Sequence, residues 1–456
     1  MTKAAKKPNE ADAGEGSLGS FLAWLKRYGD FILFFLIACI GLVFIGSTMP
    51  HTWNITGMDP ADYVYLAKHF WGVPQQGVQF VSDFNVQWRH FLSIIPFRQI
   101  GTGTFYLMMR IIFGSRVDQL GPFVLNALIA FSYAWLSYLW GIRTKRIFGW
   151  ICLGVLLITT TTQTTGYLIW SEPLLRICFV CGFALFLLRR QGESFASRRM
   201  VAGFFLIFLV MANIKIQWMV FGLVLMLCQM IILACEKNWR RLCATLCLAL
   251  LIPLSIFMIN GLGWDYWGLV GGNSLHTMFQ PGGGSPDFLA AICQKEEMIQ
   301  LSTRFCNEGV YSFPTWGEFM KFQYPQQNIR QMIQTMDGLS KQMINYSPSA
   351  DISTLVKYAP DFTNFPLSSP PFLAGLLISI LDGLGFIICL LGLYFPRTRM
   401  VALFCLGSWS IPLLGAHVAA WDPRYLTPMA GIPLLGAVYI LSSLLWPDMY
   451  PSVPEV

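Results

Sequence analysis

Long apolar runs separated by short polar clusters dominate this 456-residue chain. The runs lie near 31–49, 120–140, 148–164, 172–188, 201–214, 217–235, 243–261, 373–394, 401–418 and 428–446. Apolar helices of roughly 17 to 25 residues are long enough to cross a hydrocarbon core of about 30 Å. The pattern therefore predicts an all-α polytopic membrane protein with about ten transmembrane helices and two large extracytoplasmic loops. The stretch at 201–235 is almost one continuous run, broken only at "NIKIQ" (Asn213–Gln217).

Charge resolves that break. With the N-terminus cytoplasmic and the run split into a hairpin, five basic clusters fall on one side: Lys26-Arg27, Arg143/Lys145/Arg146, Arg189/Arg190/Arg198/Arg199, Lys237/Arg240/Arg241 and Arg397/Arg399. An unsplit span would move the last two clusters to the other side, against the positive-inside rule. The expected organisation is a disordered cytoplasmic tail at 1–30, a first transmembrane helix at 31–49 and a first extracytoplasmic loop at 50–119. Helices 2–7 follow at 120–261, then a large extracytoplasmic domain at 262–372, helices 8–10 at 373–446 and a cytoplasmic tail at 447–456. The first span has no small-residue cleavage site behind a short apolar region, so the expectation is a retained anchor.

Composition agrees with the pattern. The chain is 55% hydrophobic and 12% charged, against about 25% charged in an ordinary soluble protein. The net charge of +7 sits in the short clusters between apolar runs, so it reports orientation and gives no sign of nucleic-acid binding. Ten of the twelve cysteines lie in or beside spans, where they serve as small apolar packing residues. Cys293 and Cys306 lie in the large loop, where an oxidising compartment would allow a bridge or leave two free thiols. No Cys/His spacing indicates a metal site.

Within 50–119, "VQWRHFLSIIPF" and "TGTFYLMMRIIFG" are apolar but carry Arg89, His90 and Arg110, and are expected as interfacial helices. The ionisable residues assigned to the outer face are Asp59, Asp62, Lys68, Asp83, Arg89, His90, Glu172, Arg176, Lys215, His417, Asp422 and Arg424, with Tyr425 beside the last. Ionisable groups near a membrane are costly and tend to be paired or functional. Each has a structural alternative. Asp59 before Pro60 reads equally as a helix N-cap, and Asp62 and Glu172 as first-turn acids favoured by the helix dipole. Asp422/Arg424 reads as a local ion pair, and Lys215 as a side chain snorkelling to the interface. Asp382, mid-span, is expected to make a polar contact between helices.

The first-loop stretch "DPADYVYLAKHFWG" resembles the D-E-x-x-Y loop of the GT-C glycosyltransferases, in the branch that includes protein O-mannosyltransferases and the aminoarabinose transferase of lipid A. Asp59 and Tyr63 stand at the family's spacing, followed by Ala67 and Gly72, while Pro60 replaces the second acid and Asp62 appears two positions later. "SEPLLRICFVCGFALFLLRR" is similar to the family's acid-containing turn before the fourth span, and "WDPRYLTP" to its last outer turn. A large external domain after the seventh span matches the same architecture.

The resemblance implies an inverting glycosyltransferase that moves a sugar from a polyprenyl-phosphate donor to a hydroxyl of a cell-surface or periplasmic glycan or lipid. Asp59 or Asp62 would be the general base, and Lys215, Arg89 and Arg424 would hold the donor phosphate. Tyr63, Glu172, His90, Tyr425 and Asp422 would support them. No cofactor beyond the lipid-linked sugar is expected, although a divalent metal could replace some of these cations. The expected setting is a bacterial inner membrane, with the site on the periplasmic face. An O-antigen polymerase or ligase would instead depend on basic residues of the large loop, such as His276, Arg304 and Arg330. A lipid or glycan transporter would place ionisable groups at the midplane, as at Asp382, and the remaining alternative is a non-catalytic membrane subunit.

Overall fold

A computed structural model describes residues 12–53, 100–264, 267–269, 372–418 and 427–446, save single positions at 48, 50, 162, 163, 169, 191 and 192. Among these residues all regular structure is helical. In chain order the helices are α1 (Asp12–Ile45), α2 (Gly101–Phe113), α3 (Val117–Arg143), α4 (Arg146–Ile158), α5 (Ser171–Leu188), α6 (Arg198–Ile214), α7 (Gln217–Cys235), α8 (Trp239–Trp264), α9 (Phe372–Gly392), α10 (Arg399–Val418) and α11 (Ile432–Leu445).

All of them except α2 coincide with the apolar runs. Six stretches are long and apolar enough to cross a membrane: Tyr28–Ile45, Gly101–Arg143, Ser171–Leu188, Gln217–Cys235, Trp239–Leu262 and Thr427–Leu445. Arg146–Ile158, Ile380–Gly392 and Arg399–Ile411 are shorter apolar helices. This is an all-α polytopic membrane protein.

Two boundaries differ from expectation. α1 starts at Asp12, inside the segment expected to be disordered, because once a helix exists each added residue gains a hydrogen bond at little further cost. The "TGTFYLMMRIIF" segment forms α2, but α2 runs through the 3₁₀ turn Gly114–Arg116 straight into α3. Its Tyr106, Leu107 and Met109 are buried, while Met108, Ile111 and Ile112 remain exposed. Gly101 lets α2 close on α6, since a Cβ there would lie 2.7 Å from the Asn213 carbonyl oxygen.

Helix α3 packs against α1, α4 and α5; α6, α7 and α8 form a second group, and α9, α10 and α11 a third. Phenylalanines join the groups. The Phe404 ring of α10 lies 5.5 Å from Phe186 of α5, 5.7 Å from Phe221 of α7 and 6.3 Å from Phe204 of α6. Gly182 and Gly407 make room, because a Cβ would meet Phe404 at 2.8 Å and Phe221 at 2.2 Å. Such close approach at small residues is what drives association where lipid and side chain are equally apolar. The opposite helix faces expose Ile40, Phe44, Leu227, Ile231 and Leu250, as a bundle bathed in hydrocarbon would.

The up-and-down connectivity sorts the polar residues. One end carries the turns after α3, α5, α7 and α9, with the basic clusters of 143–146, 189–199, 237–241 and 397–399. There Arg146 pairs with Asp30 at 2.6 Å and Lys145 lies 5.9 Å from the Trp446 ring. The other end carries the exit of α1, the α4–α5 and α6–α7 turns, and the start of α11.

Candidate functional site

At that second end the α4–α5 corner and the first turns of α5, residues 159–176, hold three separate segments. The first is the exit of α1. The Trp53 indole N–H donates to the Gly166 carbonyl at 2.8 Å, the Gly166 N–H donates to Asn126 Oδ1 at 2.7 Å, and the Trp53 N–H donates to the Asp118 carbonyl at 2.8 Å. Gly166 is wedged so tightly that a Cβ would lie 2.6 Å from the Asn126 nitrogen. Tyr167 fills the space left by Gly46 and lies edge-on to His51, with ring centroids 5.5 Å apart.

The second segment is the start of α11. Arg176, one turn into α5, is wholly buried. Its guanidinium donates to Tyr133 Oη at 2.8 Å, to Thr159 Oγ1 at 3.0 Å, to the Leu156 carbonyl at 3.2 Å and to the Pro428 carbonyl at 3.3 Å, and it also bonds the Ala430 carbonyl. Tyr133 Oη in turn pairs with Thr160 Oγ1 at 2.8 Å. A buried guanidinium is tolerable only when its fixed fork of donors is filled, and here two hydroxyls, the Leu156 carbonyl and two carbonyls ahead of α11 fill it. On the other side Asp382 Oδ2 accepts from the Gly431 N–H at 2.7 Å. Asp382 thus makes the interhelical contact expected of it, tying α9 to the start of α11.

The third segment is the α6–α7 hairpin. α6 ends at Ile214 and α7 begins at Gln217, with Lys215 extended between them (φ −146°, ψ 123°). The Lys215 ammonium donates to Glu172 Oε1 at 2.6 Å, and Ser171 Oγ donates to Glu172 Oε2 at 3.0 Å. Glu172 sits in the first turn of α5 just ahead of Pro173, where the helix dipole favours an acid and proline costs no hydrogen bond. Its side chain is 3% exposed and that of Lys215 17%. Glu172 and Arg176 are four residues apart on α5 and so share one helix face. One turn of helix therefore grips two different segments.

Of the residues singled out from sequence, the structure brings Glu172 and Lys215 together. Asp59, Asp62, Tyr63, Arg89, His90, Asp422, Arg424 and Tyr425 lie outside the described residues, as do Cys293, Cys306 and nearly all of 262–372. What is described is where two of those segments attach: Trp53 lies six residues before Asp59, and Thr427 three residues after Arg424. Sequence reasoning missed Trp53, Tyr133, Thr159 and Gly166, which carry no charge to mark them. Among the described residues no group of three or more His, Cys, Asp or Glu side chains is placed to hold a metal ion.

No protein-family model and no curated protein sequence matches the chain. Among solved structures, the crystal structure of an oligosaccharyltransferase from Archaeoglobus fulgidus in complex with zinc and sulfate aligns over 90% of this chain and 49% of its own, at 12% identity and a TM-score of 0.43. The chain thus spans about half the length of that structure.

Proposed function

We propose that this protein is an inverting GT-C-like glycosyltransferase that takes a sugar from a polyprenyl-phosphate donor and passes it to a hydroxyl of a surface or periplasmic glycan or lipid. The observation that carries this reading is the gathering of a half-buried, paired lysine and the roots of two motif-bearing segments around the α4–α5 corner. Those segments are the ones whose residues resemble the family's loops. Asp382, the mid-span acid that pointed toward a transporter, has a structural use at Gly431.

In this reading the acceptor oxygen attacks the anomeric carbon as the carbon–oxygen bond to phosphate breaks on the opposite face. The acceptor proton passes to Asp59 or Asp62, and the electron pair leaves with polyprenyl phosphate. A positioned base contributes about 10²- to 10⁴-fold. The leaving phosphate needs positive charge, not a proton, and Lys215, Arg89 and Arg424 supply it, arginine as a fork and lysine as a point charge. Tyr63, His90, Glu172, Asp422 and Tyr425 orient these groups. The setting is a bacterial inner membrane with the reaction on the periplasmic face.

The test is Asp59→Asn and Asp62→Asn, assayed for sugar transfer in a null strain at matched membrane levels. Loss of transfer by at least about 100-fold in one of them, with insertion intact, is the expected result. Near-normal transfer in both would discard the carboxylate base and favour chemistry by the loop residues His276, Arg304 and Arg330.

A further inference from the structure

The Lys215–Glu172 pair presents a puzzle for any anion that Lys215 is to bind. A lysine meant only to attract phosphate would do so best alone, yet this one has a carboxylate at 2.6 Å, almost fully buried and held by Ser171. At this separation the carboxylate largely neutralises the ammonium. An anion meeting the exposed side of the ammonium would lie within several ångströms of the carboxylate as well, and there like charges repel strongly in a medium of low dielectric constant.

We propose that Glu172 is the counter-charge that limits how tightly Lys215 holds a lipid phosphate, so that the spent polyprenyl phosphate can leave. This rests on the reading of Lys215 as a donor-phosphate residue. Glu172 acts through Lys215 and is a positioning and tuning residue. The geometry suits the role. The carboxylate is fixed from two sides, by Ser171 and by its place in the first turn of α5, and the ammonium is the more accessible partner. A ligand therefore reaches the cation before the anion. With ammonium and carboxylate paired, each offsets the charge of the other; with phosphate bound, the ammonium is shared between that carboxylate and the phosphate, which lowers the affinity for each.

The test uses the full chain in lipid nanodiscs, with a short-chain polyprenyl monophosphate and the matching neutral polyprenol as probes. Glu172→Gln is expected to bind the monophosphate roughly tenfold or more tightly than the unaltered protein, with binding of the polyprenol unchanged. It should also show a lower kcat together with a lower KM for donor. Adding Lys215→Gln to Glu172→Gln should abolish the gain. Equal or weaker binding of the monophosphate by Glu172→Gln overturns the inference, as does a gain that survives loss of Lys215. Should Glu172→Gln fail to fold, Glu172→Asp withdraws the carboxylate by one methylene and is expected to tighten binding several-fold; no tightening there is equally decisive.

The parent reading fails separately. Tightening by Glu172→Gln in a protein that transfers no sugar would leave the phosphate site standing without the glycosyltransferase. Sugar transfer that needs Asp59 or Asp62 but ignores Glu172 would do the reverse.

Discussion

Breaking the Glu172–Lys215 pair from either side tests whether the corner is built as described, and the two breaks are not equivalent. Removing one partner of a buried ion pair costs about 3–5 kcal/mol when the other charge stays buried without compensation. Lys215→Met leaves the carboxylate, 3% exposed, without its counter-charge, and about 3 kcal/mol is the expected loss. Glu172→Gln leaves the ammonium, which at 17% exposure can draw in water or turn toward headgroups, so about 1–2 kcal/mol is expected.

The double variant buries neither charge and should lose about 2 kcal/mol, well below the sum of the single losses. That is a coupling of about 2–3 kcal/mol, within the range seen for residues in direct contact. The assay is equilibrium unfolding in mixed micelles with increasing SDS mole fraction, followed by tryptophan fluorescence. Strict additivity would refute the pairing. A Glu172→Gln loss larger than that of Lys215→Met would refute the argument from relative burial.

Three further outcomes follow from single contacts. Trp53→Phe keeps most of the ring and removes the N–H that bonds the Gly166 carbonyl at 2.8 Å; about 1 kcal/mol should be lost in the same unfolding assay, and no change would mean that the indole does not anchor the exit of α1. Gly431→Ala forces a side chain on to φ +80°, with its Cβ 2.6 Å from Thr159 Oγ1; a loss of about 2 kcal/mol is expected from backbone strain and crowding, and a neutral result would place this turn elsewhere. Glu193, at the basic end, is pushed up by burial, but bonds from the Arg190 N–H and the Ser197 hydroxyl and the charges of Arg199 and Arg190 outweigh that and hold its carboxyl below the ordinary value. Its contribution should be present above the unfolded-state value of about 4.3 and fade as pH falls through the lowered folded value; a stability gap between the unaltered protein and Glu193→Gln that persists or widens on acidification would contradict this.

The helices were legible because length and hydropathy act locally: a run of apolar residues has few other places to go. Even the break at 213–217, which hydropathy alone blurs, could be read from the bookkeeping of basic residues, and α6 and α7 do part there. Charge also marked Glu172, Lys215, Arg176 and Asp382 as residues needing an explanation. The explanations themselves were not legible. Glu172 and Lys215 are 43 positions apart, and their meeting depends on how α5 packs against α6. Two of the five acceptors of Arg176 and the donor to Asp382 Oδ2 are main-chain atoms at 428–431, and a carbonyl or an N–H has no signature in the residue that carries it. Trp53 and Gly166 were invisible for the same reason.

That reliance on main-chain partners bears on function. Within a bilayer a buried arginine or aspartate is expensive, and packing alone could have been achieved with leucine. Arg176 and Asp382 reach the same short stretch, 428–431, from α5 and α9, and Gly431 takes a left-handed backbone there that few other residues would accept. Such a construction fixes the entry to α11 more narrowly than apolar contacts do, since hydrogen bonds specify direction and dispersion does not. On the opposite side of the same corner Trp53 fixes the exit of α1 by the same device. Polar anchoring thus meets the chain where segments enter and leave the bundle beside the Glu172–Lys215 pair, as it also does at the basic end through Arg146–Asp30 and Glu193, while Phe186, Phe204, Phe221 and Phe404 pack by shape between α5, α6, α7 and α10. An enzyme of the proposed kind would draw on such fixed attachment points, because it must hold reacting groups from distant parts of the chain at one membrane face.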